Sequence, residues 1–125
     1  MLVEKSGAVS IWIGNITKDQ LQTYILDESA DTDKPINEFA ADMGDYFYDS
    51  DMLDWVHEAK KEIGHRKLLS KLAYSESFIE QVVQAVEERE FAPSNCAVGL
   101  YRQELQLETW PLESPLVFVG TFKYS

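Results

Sequence analysis

The chain has a single cysteine, Cys96, so it can form no internal disulfide. It lacks the disulfide framework that staples small secreted domains, and it suits a reducing compartment. Cys96 lies in no redox motif and no electropositive setting, so it is expected as a small buried apolar residue. No apolar run approaches the ~20 residues that cross a bilayer. The opening MLVEKSGAVSIWIG lacks a signal peptide's order of basic flank, apolar run and small-residue cleavage site. A cytoplasmic location is the expectation. There is no internal repeat, no low-complexity tract and no linker between domains. The 125 residues suit one domain. At that size about two-thirds of the unfolded surface can be buried on a single core.

Several chemistries are missing as well. The two histidines, His57 and His65, are eight apart with no cysteine or further histidine at ligand spacing, which argues against zinc. Asp49-x-Asp51 resembles the start of a calcium loop, but the sixth position from Asp49 is Asp54 instead of glycine. The twelfth is Lys60 instead of glutamate. There is no nucleophile elbow, no glycine-rich phosphate loop and no Cys/His signature. No metal and no cofactor is expected. One enzymatic alternative stays open, a small hydrolase using a carboxylate pair within 42–58, because spacing along the chain says little about separation in space.

Bases are scarce where acids are dense. Residues 27–58 hold eleven acids and one base, Lys34, for a net −10. The rest of the chain holds eleven acids and ten bases, for −1. The acidity thus belongs to one segment. Such a field repels nucleic acid and membrane surfaces and attracts basic partners. Within it, the stretch YFYDSDMLDW (46–55) sets Asp49, Asp51 and Asp54 among Tyr46, Phe47, Tyr48 and Trp55. Tyrosine and tryptophan supply rigid contact area with a polar tip, and carboxylates around them speed association with a basic partner. The competing reading of each ring is core packing. For Trp12 in its strand the core is the better assignment, whereas Tyr46, Tyr48 and Trp55 divide between core and contact.

The pattern of elements is mixed. Residues 8–13, AVSIWI, read as a strand ended by Gly14-Asn15. Thr17 and Gln20 form a capping box, Ile16 and Leu21 a hydrophobic staple, and a helix is predicted over 18–27. Residues 27–37 form a loop, after which Asn37 caps a short helix stopped by Gly44. Met52, Val56, Ala59 and Ile63 share one helical face, predicting a helix capped by Asp51 and ended by Gly64. Leu68, Leu69 and Leu72 suggest another short helical piece. The clearest helix is 77–89, with Ser77 and Glu80 as a capping box and Phe78, Ile79, Val82, Val83 and Val86 as its buried stripe. CAVGLY (96–101) and LVFVGTF (116–122) read as strands, the second apolar on both faces like a central strand. Residues 103–109 alternate as a further strand would. Short connections favour antiparallel pairing between the last strands. The expected class is α+β, one domain with a small, mostly antiparallel sheet packed by helices.

Four stretches taken in order carry a resemblance. They are SIWIG (10–14), FAADMGDYFYDSDM (39–52), AYSESFIEQV (73–82) and SPLVFVGTFKY (114–124). From about residue 9 to 124 the chain resembles the immunity protein 22 family of bacterial polymorphic-toxin systems. The resemblance implies an α+β cytoplasmic protein, not an enzyme, that binds and neutralises a cognate toxin domain, often a nuclease. The family's Tyr-Asp-x-Asp element falls on Tyr48, Asp49 and Asp51, and its first-strand motif on Ser10, Trp12 and Gly14. The family tends to an aromatic after the second Asp, where this chain has Met52.

The expected partner is a basic toxin domain, with no direct nucleic-acid binding and no membrane. Electrostatic contacts are expected from Asp42, Asp45, Asp49, Asp51, Asp54 and Glu58, with Tyr46, Tyr48 and Trp55 as anchors. An acidic interaction module unrelated to toxins is a third reading.

Overall fold

The computed structural model describes residues 1–31, 33–59 and 64–124. Four strands, β1 (Leu2–Gly14), β2 (Leu53–His57), β3 (Cys96–Leu105) and β4 (Leu116–Lys123), form one sheet in the order β2-β3-β1-β4. Every neighbouring pair is antiparallel. Helices α1 (Lys18–Leu26) and α2 (Glu38–Asp42) cover one face, and α3 (His65–Leu69) and α4 (Ile79–Glu88) the other. The α+β expectation holds.

Alternation along the two middle strands builds both cores. Val9, Ile11 and Ile13 of β1 meet Ala97 and Tyr101 of β3 beneath Leu68, Leu69, Phe78, Val82, Val83 and Val86. The residues between them, Trp12 of β1 with Cys96, Val98 and Leu100 of β3, pack against Leu21, Tyr24, Ile25, Phe39 and Met43. A strand buried on both faces reads as a nearly continuous apolar run, and AVSIWI and CAVGLY are such runs, with the one buried hydroxyl, Ser10, hydrogen-bonded inside the fold. Each large side chain so buried stabilises the fold by roughly 1.5–3 kcal/mol.

The strand 116–122, expected as central, is instead an edge. Its apolar residues still serve both faces, Leu116 and Phe118 the α1–α2 core and Val119 and Phe122 the α3–α4 core, because a bulge shifts the alternation. Ile11 pairs with Gly120 and Trp12 with Phe118, which leaves Val119 as the extra residue. The guanidinium of Arg89 donates to the Val119 carbonyl (2.6 Å) and to that of Phe118 (3.4 Å). Bulge and arginine together blunt this edge against further strand pairing. Nor do the last two strands pair with each other, as their short connection suggested. Both pair with β1, which inserts between them. The alternating 103–109 stretch is the continuation of β3, to Leu105.

The helix expected across Met52, Val56 and Ala59 is absent; a 3-10 turn (Ser50–Met52) leads into strand β2 there. Ile63, counted on that face, lies outside the described residues. The reason is a period of two that the helical spacing masks. Leu53 and Trp55 pack toward α1 and α2, and Val56 packs toward α3 and α4. The turn is capped by Asp49, not Asp51. Gly64, with φ of +83°, directly precedes α3; the residues before it, 60–63, lie outside the described residues.

Other local signals hold. The Thr17–Gln20 capping box forms. The Asn37 side chain accepts from the Ala40 amide, and Gly44 follows α2 with φ of +79°. Helix α4 differs at its start. Phe78 is its N-cap, with no side-chain cap bond, and Ser77 ends a preceding 3-10 turn (Ser75–Ser77). Cys96 is buried, and burial pushes its thiol up to about 11.

Candidate interaction surface

The acidic segment is not one surface, because β2 runs through it and sends successive side chains to opposite faces. Asp54 faces α3, where its Oδ2 accepts from the Ala73 amide at 2.8 Å. Glu58 forms an ion pair with Lys71 on the same side. Trp55 turns the other way and packs, half-buried, against the α1–α2 core. His57 donates from Nε2 to the Ile16 carbonyl (2.8 Å), tying the end of β2 to the turn after β1. These side chains close the sheet's edge.

Two further acids also work inside the fold. Asp42 accepts from the hydroxyl of Tyr24, which Ser114 Oγ meets at 2.9 Å. Burial and that carboxylate push the Tyr24 phenol well above the ordinary tyrosine range. Asp45 Oδ2 accepts from the Leu2 amide at 2.6 Å, fastening the stretch after α2 to the start of β1.

Tyr48 is the hinge of the arrangement. It is 6% exposed and lies edge-on to Phe39. Its hydroxyl donates to the Ile25 carbonyl and accepts from Asn37 Nδ2 at 2.9 Å. Ile25 precedes the acidic loop and Asn37 ends it, so one phenol holds both ends of 27–36. Backbone bonds complete the clamp, from the Ile36 amide to Tyr46 O (2.8 Å) and from the Ser29 amide to Ile36 O (2.6 Å). Tyr48 therefore positions the loop and presents no ring to solvent. Burial raises its phenol to about 12.

The neighbouring rings are left outside. Tyr46 is 62% exposed and Phe47 72%. Asp49 and Asp51 stand beside them, both exposed; Asp49 Oδ1 accepts from the Asp51 amide (3.0 Å). Asp27, Glu28, Asp31 and Asp33, from the loop that Tyr48 clamps, are exposed too. Phe47 is not among the contacts expected from the sequence, although three consecutive aromatics stand at 46–48. With Tyr48 in the core, Phe47 is left outside it.

A cleft of about 390 Å³ opens beside Phe47, lined also by Glu4, Asp45, Asp49, Met52 and Arg102. Among the described residues, no group of three or more His, Cys, Asp or Glu side chains is placed to hold a metal ion. No helix among them is long and apolar enough to cross a membrane.

A family model described as Immunity protein 22 matches residues 9–125, nearly the whole chain. The chain belongs to the Immunity protein 22 family. No curated protein and no solved structure matches it. Membership makes it an immunity protein, with a cognate toxin as its partner. It also gives the first-strand motif a structural meaning. In this immunity protein Ser10, Trp12 and Gly14 are all interior. Ser10 Oγ donates to Gln103 O at 2.9 Å and shares a 2.9 Å bond with Thr121 Oγ1. Trp12 is fully buried among Phe39, Trp110 and Phe118. A Cβ on Gly14 would lie 2.7 Å from Leu116 Cδ2 and 3.0 Å from the Pro115 carbonyl.

Proposed function

We propose that this immunity protein neutralises a basic toxin domain, of nuclease type, by covering its phosphate-binding face, and that it catalyses nothing itself. One observation carries the reading. The exposed rings of Tyr46 and Phe47 stand with Asp49 and Asp51 and with the loop acids Asp27, Glu28, Asp31 and Asp33, outside the core. Large exposed aromatics in a folded chain mark interaction sites. A nuclease must hold phosphates, so its active face is positive, and an acidic surface can occupy it.

The contact set is narrower than the full acidic segment. Asp51, Asp49, Tyr46 and Phe47 belong to it directly. Tyr48 acts by holding the loop. Asp42, Asp54 and Glu58 already serve intramolecular partners, and they add field more than contact. Asp45 gives one oxygen to the Leu2 amide and lines a cleft with the other available. Trp55, half-buried at the sheet edge, supports the surface from beneath. A cytoplasmic site of action fits the reading.

The test is co-expression with the toxin domain encoded beside this chain in its own genome. Restored growth, with a stoichiometric complex that loosens as salt rises, is the expected result. Failure to protect, with no complex at low or high salt, would overturn the proposal.

A further inference from the structure

The cleft beside Phe47 has the chemistry of a receptor for one guanidinium group. Its walls carry three carboxylates, Glu4, Asp45 and Asp49, against one base, Arg102. Met52 and Leu2 supply apolar lining, and Phe47 stands at the rim with 72% of its surface free. An arginine side chain needs those three things together, an apolar wall for its stem, a ring face for its plane and carboxylates for its head.

The chain already places one guanidinium here. Arg102 lines the cleft with Nη2 3.7 Å from Glu4 Oε1. It stands where β1 departs from register, since residues 5–8 of β1 face Arg102 alone between the Glu4–Gln103 and Val9–Tyr101 pairs. Its φ of +62° lies in the left-handed region, which disfavours a non-glycine residue. One base cannot balance three acids, and the contact to Glu4 is long. Asp45 gives one oxygen to the Leu2 amide, and Asp49 gives one to the Asp51 amide. Each keeps a second oxygen. The α-ammonium of Met1 is engaged by the carbonyls of Met43 and Gln106.

We propose that this cleft takes a single arginine side chain from the toxin, its stem against Met52, its plane on Phe47 and its head between Asp45 and Asp49. The proposal rests on the immunity reading and names the group on the partner that the surface recognises. It makes Phe47 the specificity residue, and Arg102 the residue that offsets part of the cleft's negative charge.

The probe is N-acetyl-arginine amide, titrated into the full chain at low salt and followed by amide NMR shifts. N-acetyl-citrulline amide, which is neutral and nearly isosteric, is the control. Saturable shifts confined to Phe47, Asp49, Met52 and Arg102, absent with citrulline, are expected. Phe47→Ala removes no buried contact, and Asp49→Asn keeps an acceptor for the Asp51 amide, so both variants should fold. Each should weaken arginine binding about two- to fivefold.

Shifts spread without saturation over all acids of 27–58 would overturn the proposal. So would equal binding of citrulline, no saturable shift at all, or unchanged binding by Phe47→Ala. Protection from toxin is read separately by co-expression. Protection retained while arginine binding fails sinks the cleft alone. Loss of protection by the unmodified chain sinks the immunity reading, and the titration still judges the cleft.

Discussion

The side-chain amide of Asn37 donates to the hydroxyl of Tyr48 over 2.9 Å, while its carbonyl oxygen accepts from the Ala40 amide at 2.9 Å and caps helix α2. One asparagine thus links the end of the acidic loop, the start of a helix and the phenol that reaches back to Ile25. The loop's placement depends on this junction more than on its own sequence. Tyr48→Phe leaves the ring packing intact and removes the hydroxyl from the Ile25 carbonyl and the Asn37 amide. A buried hydrogen-bond loss of this kind costs about 1–3 kcal/mol. Urea unfolding should show that loss, and amide exchange should show faster opening over 27–36. Unchanged exchange there would mean the loop is held by other contacts.

Stability should fall at alkaline pH. Tyr48 is raised to about 12 from an ordinary 10.0, and Cys96 to about 11 from 9.0, chiefly by burial. Burial and the nearby Asp54 charge also push Tyr101 upward. For each group the unfolded chain loses its proton first, so the folded state holds more protons as pH rises. The stabilisation is full below about pH 9 and is lost between about 9 and 12. Urea midpoints measured across that range should decline steadily. A flat profile would show these groups reaching solvent in the folded protein.

Gly14 lies in a buried strand with no room for a methyl group. The obstructions are the Leu116 side chain and the Pro115 carbonyl, and a backbone atom cannot swing aside. Gly14→Ala should destabilise by about 1–3 kcal/mol through overpacking, read as a lower thermal midpoint. A neutral result would require the 111–115 connection to move as a unit.

Ser10 offers a contrast at the same motif. Its hydroxyl serves Gln103 O, Thr121 Oγ1 and the Leu105 amide (3.3 Å) from a fully buried position. Ser10→Ala keeps the volume and strands those partners, so a loss of about 1–3 kcal/mol is expected. If the variant is as stable as the parent, a water has replaced the hydroxyl.

The acids divide by role, and charge neutralisation should reveal it. Asp49→Asn with Asp51→Asn should leave stability within about 0.5 kcal/mol, because exposed substitutions away from packed features are nearly silent. The pair should slow association with a basic partner and flatten its salt dependence. Asp54→Ala should do the reverse. It leaves the Ala73 amide without its acceptor and lowers stability, with little effect on association rate. Stopped-flow mixing at two salt concentrations separates the cases, and equal effects from both would contradict the division.

Most local signals that neighbours along the chain complete were legible, the Ser77–Glu80 capping box excepted, since α4 starts one residue later from Phe78. The capping box at Thr17, the Asn37 cap, the apolar stripe Val82–Val83–Val86 and the burial of Trp12 and Cys96 all follow from residues a few positions apart. The misreadings have a common cause. LDWVH suits a strand or a helical face equally until β3 offers it an edge. LVFVGTF resembles a central strand because its bulge turns apolar residues to both faces, while the Arg89 that guards its edge comes from a distant part of the chain. The acidic segment was visible as a charge count, but not as a surface, since β2 splits it between two faces.

The sequence by itself determined that a charge of −10 would gather between residues 27 and 58, that strands would form around AVSIWI, CAVGLY and LVFVGTF, and that no disulfide would help. Those properties are sums over residues and need no partner. Only the tertiary structure decided which carboxylates are spent inside the fold and which face outward, because that depends on amides and cations distant in the chain, such as Leu2, Lys71 and Ala73. It likewise decided that Tyr48 goes in and Phe47 stays out. The Tyr48 hydroxyl finds buried partners at Ile25 and Asn37 and its ring packs on Phe39, contacts that only the folded chain brings to it.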